Sequence, residues 1–184
     1  MIGRIPQMRK KVTFAIIPKH INFKKNTTMN TVILFWNPDI SSYKYDDLQD
    51  FIQNHDISTF NWSVWEHEKA KMGDRFFLVK CGQSKNNGIC MSGDFVSDPY
   101  LDEDWTGNGN KSYYMDMSVE TAINPQFFST LPTEDLCSAI PDFDWTGGHS
   151  GRILTRGADL LEEMWGYFLN EHSYIFQPQT FIKR

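Results

Sequence analysis

Gly73-Asp74-Arg75-Phe76-Phe77-Leu78-Val79-Lys80 is followed at short range by Asn86-Asn87-Gly88-Ile89-Cys90-Met91-Ser92-Gly93-Asp94-Phe95-Val96. Each of these apolar, aromatic and β-branched runs is introduced by a glycine-containing turn, so they read as neighbouring antiparallel strands. Gly93 inside the second run marks a bulge, because a residue with no side chain weakens a strand and is kept where the ladder must deform. Upstream, Thr31-Val32-Ile33-Leu34-Phe35-Trp36 closes on Asn37-Pro38 and reads as a buried strand ending in a turn. Tyr45, Leu48, Phe51 and Ile52 recur at helical spacing behind Asp46 and Asp47, which suit the positive end of a helix dipole. Residues 60–65 and 111–119 alternate as strands. Leu161, Met164, Trp165, Phe168 and Leu169 make one apolar helical stripe over 157–169, which places Trp165 in the core. The predicted order is β-α-β-β-β-β-α. It gives an α+β fold, a small curved, mainly antiparallel sheet or open barrel with flanking helices.

The 184 residues suit one domain with a core that needs no staples. Cys81, Cys90 and Cys137 show no CxxC spacing and leave an odd thiol, which argues against a disulfide framework and for a reducing, cytoplasmic setting. No apolar run approaches the ~20 residues of a membrane helix. Charge is uneven. Residues 1–28 hold Arg4, Arg9, Lys10, Lys11, Lys19, Lys24 and Lys25 and no acid, while all 23 Asp/Glu fall in the remainder. The expected organisation is a basic extension over 1–28, standing apart from the fold, and one domain over 29–184. A basic arm on nucleic acid and a targeting segment are the other readings of the head.

Several motifs fail on inspection. Asp102-x-Asp104-x-Thr106-Gly107 and Asp142-x-Asp144-x-Thr146-Gly147 open like calcium loops, but position 12 falls on Tyr113 and Ile153, where a bidentate Glu is required. Gly107-Asn108-Gly109-Asn110-Lys111-Ser112 lacks the Gly before Lys and the helix after it that a P-loop needs. The five His show no zinc spacing, no GxSxG occurs, and Cys81 has no His partner in reach of its strand. No metal and no cofactor is expected.

The unexplained residues are aromatics and an amide at strand ends. Asn37 closes the first strand, Trp62 and Trp65 flank Ser63-Val64, and Trp105 sits in a polar Gly/Asp loop. An indole in such a loop presents a π-face to a flat ligand, a nucleobase or a quaternary ammonium, or folds back as a lid. An Asn carries a donor and an acceptor and can read a base edge.

The order of Val32-Ile33-Leu34-Phe35-Trp36-Asn37-Pro38, Trp62-Ser63-Val64-Trp65, Met72-Gly73-Asp74-Arg75, Gly88-Ile89-Cys90, Val96-Ser97-Asp98-Pro99-Tyr100 and Ser150-Gly151-Arg152 resembles the PUA-like superfamily, in its EVE and YTH branches. The resemblance implies a pocket for a modified base of DNA or RNA, single-stranded or flipped out. Trp65 and Trp105 would be its walls, with Trp62 and Ser63 beside them and Asn37 on the base edge. Arg75, Lys111 and Arg152 would touch phosphate. Glu66 and His67 follow Trp65 where YTH proteins carry small polar residues, and an acidic body repels phosphate. Two other functions stay open. One is an ASCH-like hydrolase of a modified nucleoside, with Glu66, Lys69, Asp98 or Asp104 as candidates and no acid/base pair marked. The other is a protein-binding domain with aromatic anchors.

Overall fold

The structure, a computed structural model, describes residues 29–54 and 60–173; the basic segment 1–28 lies outside the described residues. Strand β1 (Thr31–Trp36) leads to helix α1 (Tyr45–Asn54) and strand β2 (Phe60–Ser63). Strands β3 (Arg75–Lys80), β4 (Gly88–Phe95), β5 (Tyr100–Glu103), β6 (Lys111–Ala122) and β7 (Leu131–Pro132) follow. Helix α2 (Thr133–Ala139), strand β8 (Arg152–Ile153) and helix α3 (Ala158–Glu171) complete the order.

The strands form one curled sheet in the order β2-β6-β4-β3-β1-β8, with β5 on β6 and β7 on β4. The β1–β3 pairing is parallel, which its crossover through α1 and β2 allows. The other pairings among the described residues are antiparallel. The fold is α+β, a half-barrel with three helices packed on it. The expected bulge sits at Ser92/Gly93. A Cβ on Gly93 would lie 2.0 Å from the Ser118 carbonyl oxygen, so only glycine lets β6 approach there.

Both faces of the sheet are covered, which explains continuous apolar runs in place of alternation. Val32, Leu34 and Trp36 of β1 join Phe76 and Leu78 of β3 on the face that receives Leu48 and Ile52 of α1. Ile33, Phe35, Phe77 and Val79 point the other way, against Leu136 of α2 and Leu161, Trp165 and Phe168 of α3. The Trp165 indole donates to Ser92 Oγ at 3.0 Å, which satisfies its polar end inside the core. At the start of α1 the Asp47 carboxylate accepts from the Lys44 backbone N–H at 2.7 Å, the reach-back of a capping box.

Ser150-Gly151 bridges the two ends of the curl. Gly151 N–H donates to the Ile33 carbonyl of β1, while the Ser150 and Gly151 carbonyls accept from Trp65 and Glu66 beyond β2, each at 2.9 Å. Gly151 has φ 83°, and a Cβ there would meet Val64 Cα at 2.4 Å. This junction holds the Trp65 segment in place. The Val64 amide still pairs with Tyr113 of β6, and from Trp65 onward the amides turn to Ser150 and Gly151, which ends the β2 ladder.

Candidate functional site

A cavity of about 1370 Å³ opens between the β1–α1 connection, β2 and its continuation, the loop after β5, and the loop before β8. Asn37, Trp62, Ser63, Trp65, Trp105 and Lys111 all line it. These residues come from four separate parts of the sequence. The volume exceeds what a single base occupies and falls above the usual 300–1,000 Å³ of a small-ligand pocket.

Its floor is aromatic. Tyr43 packs on Phe60 at 5.1 Å and edge-on against Trp62 at 5.9 Å between ring centroids. The Trp62 indole N–H donates to Ser150 Oγ at 2.9 Å, and the same oxygen accepts the Phe35 backbone N–H at 2.9 Å. Ser150 therefore fixes the tilt of Trp62 while tying it to β1. The hydroxyls of Tyr43 and Thr133, both lining the cavity, are buried without a hydrogen-bond partner among the described residues. Burial, with the Asp47 carboxylate adding to it, pushes the Tyr43 hydroxyl far up, so it stays a neutral donor.

The mouth carries the exposed rings. Trp65 is 60% and Trp105 52% exposed, values that no packing role requires. The His149 imidazole stacks on Trp65 with centroids 3.7 Å apart, and His67 stacks on Tyr113 at 3.5 Å. No pattern in the sequence marks His149 or Tyr113: the first follows two glycines in a loop, and the second reads as an ordinary strand residue.

Trp105 is presented by a built turn. The Asp104 carboxylate accepts from both the backbone N–H and the hydroxyl of Thr106. Asp144 and Thr146 repeat the arrangement below His149, with Thr146 N–H at 3.0 Å from Asp144 Oδ1. The two Asp-x-Asp-Trp-Thr-Gly segments are thus Asp-capped turns that aim the mouth of one cavity, and the calcium reading has no part in them. Hydrogen bonds from Thr146 hold the Asp144 carboxyl below its ordinary range despite some desolvation.

Asn37 uses its side-chain oxygen on its own turn, accepting from Asp39 N–H at 3.0 Å. The cations divide. Lys111 is at the cavity. Arg75 lies elsewhere, its guanidinium meeting the carboxylates of Asp94, Glu120 and Glu162. Three acids gathered from β4, β6 and α3 surround it, and it does not line the cavity. Arg152 sits behind the cavity wall. Its guanidinium donates to the Asp144 carbonyl at 2.6 Å and lies over the Phe143 ring at 4.5 Å, supporting the His149 loop from below.

The candidate acid–base groups are each engaged. Glu66 accepts the Ile153 N–H at 2.7 Å and pairs with Lys69. Burial alone would raise the Glu66 carboxyl, but Lys69 and the Ile153 amide outweigh it and hold it below its usual range. Asp98 accepts from Met72 N–H at 3.0 Å, and Asp104 caps its turn. No group of His, Cys, Asp and Glu suited to a metal exists among the described residues. Among them also, no helix is long and apolar enough to cross a membrane.

Neither a family model nor a curated protein matches the chain. Solved structures similar to it include the YTH domain-containing protein Mmi1 in complex with RNA, at 12% identity and a TM-score of 0.49, covering 94% of this chain and 99% of that one. The YTH domain of Zygosaccharomyces rouxii MRB1 in complex with N6-methyladenosine RNA is similar at 12% identity and 0.41, over 92% and 98%. A Pseudomonas syringae protein solved by structural genomics is similar at 16% identity and 0.48, over 77% and 98%.

Proposed function

We propose that the chain is a nucleic-acid-binding module that takes one modified base, single-stranded or flipped out, into the aromatic cavity. The observation that carries the reading is the convergence of Trp65 and Trp105. Two indoles forty residues apart in sequence stand more than half exposed on the same cavity, with Trp62 and Ser63 on its floor and Asn37 on its wall. Exposed indoles gain little from packing and much from a stacked base, about 1–3 kcal/mol each. The Asn37 amide nitrogen and the unpaired Tyr43 and Thr133 hydroxyls supply donors for the base edge and the sugar. Lys111 is the phosphate contact.

Titration of the protein with a panel of modified nucleosides, followed by short single-stranded RNA and DNA carrying the best of them, tests this. Saturable binding that Trp105→Ala weakens about fivefold or more is expected. A panel in which no nucleoside quenches tryptophan fluorescence or releases heat would remove the reading.

A further inference from the structure

We infer that the base taken by this cavity is a cationic one, methylated on a ring nitrogen so that it carries a positive charge at neutral pH. The inference rests on the base-binding reading of the same cavity. What it adds comes from the sign of the charge around the exposed indoles. Asp47 and Glu134 line the cavity against Lys111. Trp105 directly follows Asp102-Glu103-Asp104. The carboxylates of Asp104 and Asp102 act on Tyr114, a residue that lines the cavity.

Apart from Lys111, the neighbouring cations are committed elsewhere and do not offset these acids. The Lys80 ammonium is buried on Ser84, Lys85 and Asn87 oxygens at 2.7–2.9 Å. Lys44 donates to the Pro38 carbonyl, Lys69 to Glu66, and Arg152 to the loop behind the wall. An aromatic face is itself the negative part of a ring quadrupole. Indole faces and carboxylates therefore act in the same direction. Both favour a delocalised cation stacked between the rings, and both disfavour a neighbouring phosphate. A neutral methylated base gains the stacking alone.

Isomers separate the two contributions. N1-methyladenosine and N6-methyladenosine have the same atoms, and only the first is cationic at neutral pH. Calorimetric titration of the full chain with each should show the N1 isomer binding about tenfold more tightly, the size of a partly desolvated cation–π contact. The double variant Asp47→Asn, Glu134→Gln should shrink that ratio to threefold or less. Equal affinities, tighter binding of the N6 isomer, or a ratio the double variant leaves unchanged would overturn the inference while the base-binding reading stands. Binding of neither isomer while a neutral modified nucleoside of the panel binds would likewise overturn the inference alone; binding of no nucleoside, or of a trimethyllysine peptide alone, would overturn both.

Discussion

The imidazole of His149 lies flat on the indole of Trp65, centroids 3.7 Å apart and planes 7° from parallel. A five-membered heteroaromatic ring thus occupies one face of the indole that the cavity would offer a base. His149 is itself exposed and follows Gly147 and Gly148, both at positive φ, so its loop is built from residues with wide backbone freedom. His149→Ala should leave the fold intact and tighten nucleoside binding about three- to tenfold, because the base no longer displaces the imidazole. Weaker binding in the variant would make His149 a wall of the site and not a competitor.

Trp105→Ala should separate binding from stability. The indole is half exposed and its loop is held by Asp104 and Thr106, not by the ring. Affinity for the preferred nucleoside should fall about five- to hundredfold, equivalent to ~1–3 kcal/mol of stacking, with the thermal midpoint nearly unchanged. A large drop in midpoint would show that the loop indole has a packing role.

Trp165→Ala should do the reverse. Trp165 is 2% exposed, stacked on Phe168 and hydrogen-bonded to Ser92. Truncation costs about 3–5 kcal/mol in urea unfolding, with the Ser92 hydroxyl losing a partner in addition. Nucleoside affinity of the folded fraction should be retained.

The elements legible in the sequence are those whose burial imposes a period on it. β1, β3 and β4 are apolar on both faces, and α3 carries Leu161, Trp165 and Phe168 on one stripe. The elements that escaped are short and are set by their neighbours. β7 and β8 have two residues each, too few for any alternation, and exist because Leu131 and Ile153 find edges of β4 and β1. β5 pairs with β6 through Tyr100 to Glu103, where Tyr100 and Leu101 are followed by two acids and no alternation develops. α2 has seven residues and no side-chain cap at Pro132. The same distinction governs the site. Trp65 and Trp105 stood out as aromatics with no packing pattern. The environment of Arg75 depends on three acids that tertiary structure collects, and a cation in a sequence looks the same whether it is paired or free.

Ser150→Ala should weaken the curl at its junction. Ser150 Oγ accepts from both the Phe35 backbone N–H and the Trp62 indole, so the substitution leaves two half-buried donors without an acceptor. Each such loss costs about 1–3 kcal/mol. Trp62→Phe in the same background should restore part of the loss, since it removes one of the orphaned donors. A double variant no more stable than Ser150→Ala would show that the indole finds water once the serine is gone.

Acid should loosen the same junction through Glu66. Its carboxylate joins the Trp65 segment to β8, accepting the Ile153 N–H and pairing with Lys69. Its folded value lies below the ordinary 4.5. A depressed carboxyl contributes stability that is fully present above the unfolded value and is lost as pH falls through the folded one. Asp94 and Glu162 act in the opposite sense: burial raises both against Arg75, so their protonation on acidification favours the folded chain. Those two groups are unchanged in Glu66→Gln, so a comparison of the variant with the parent isolates Glu66. The variant should be less stable at neutral pH, because it loses the Lys69 pair while a Gln oxygen still accepts from Ile153. Below pH 4.5 the parent's thermal midpoint should fall more steeply than the variant's, and the two curves should converge. Curves that stay parallel from neutral pH down to about 3.5 would show that the Glu66 clamp does not titrate with folding.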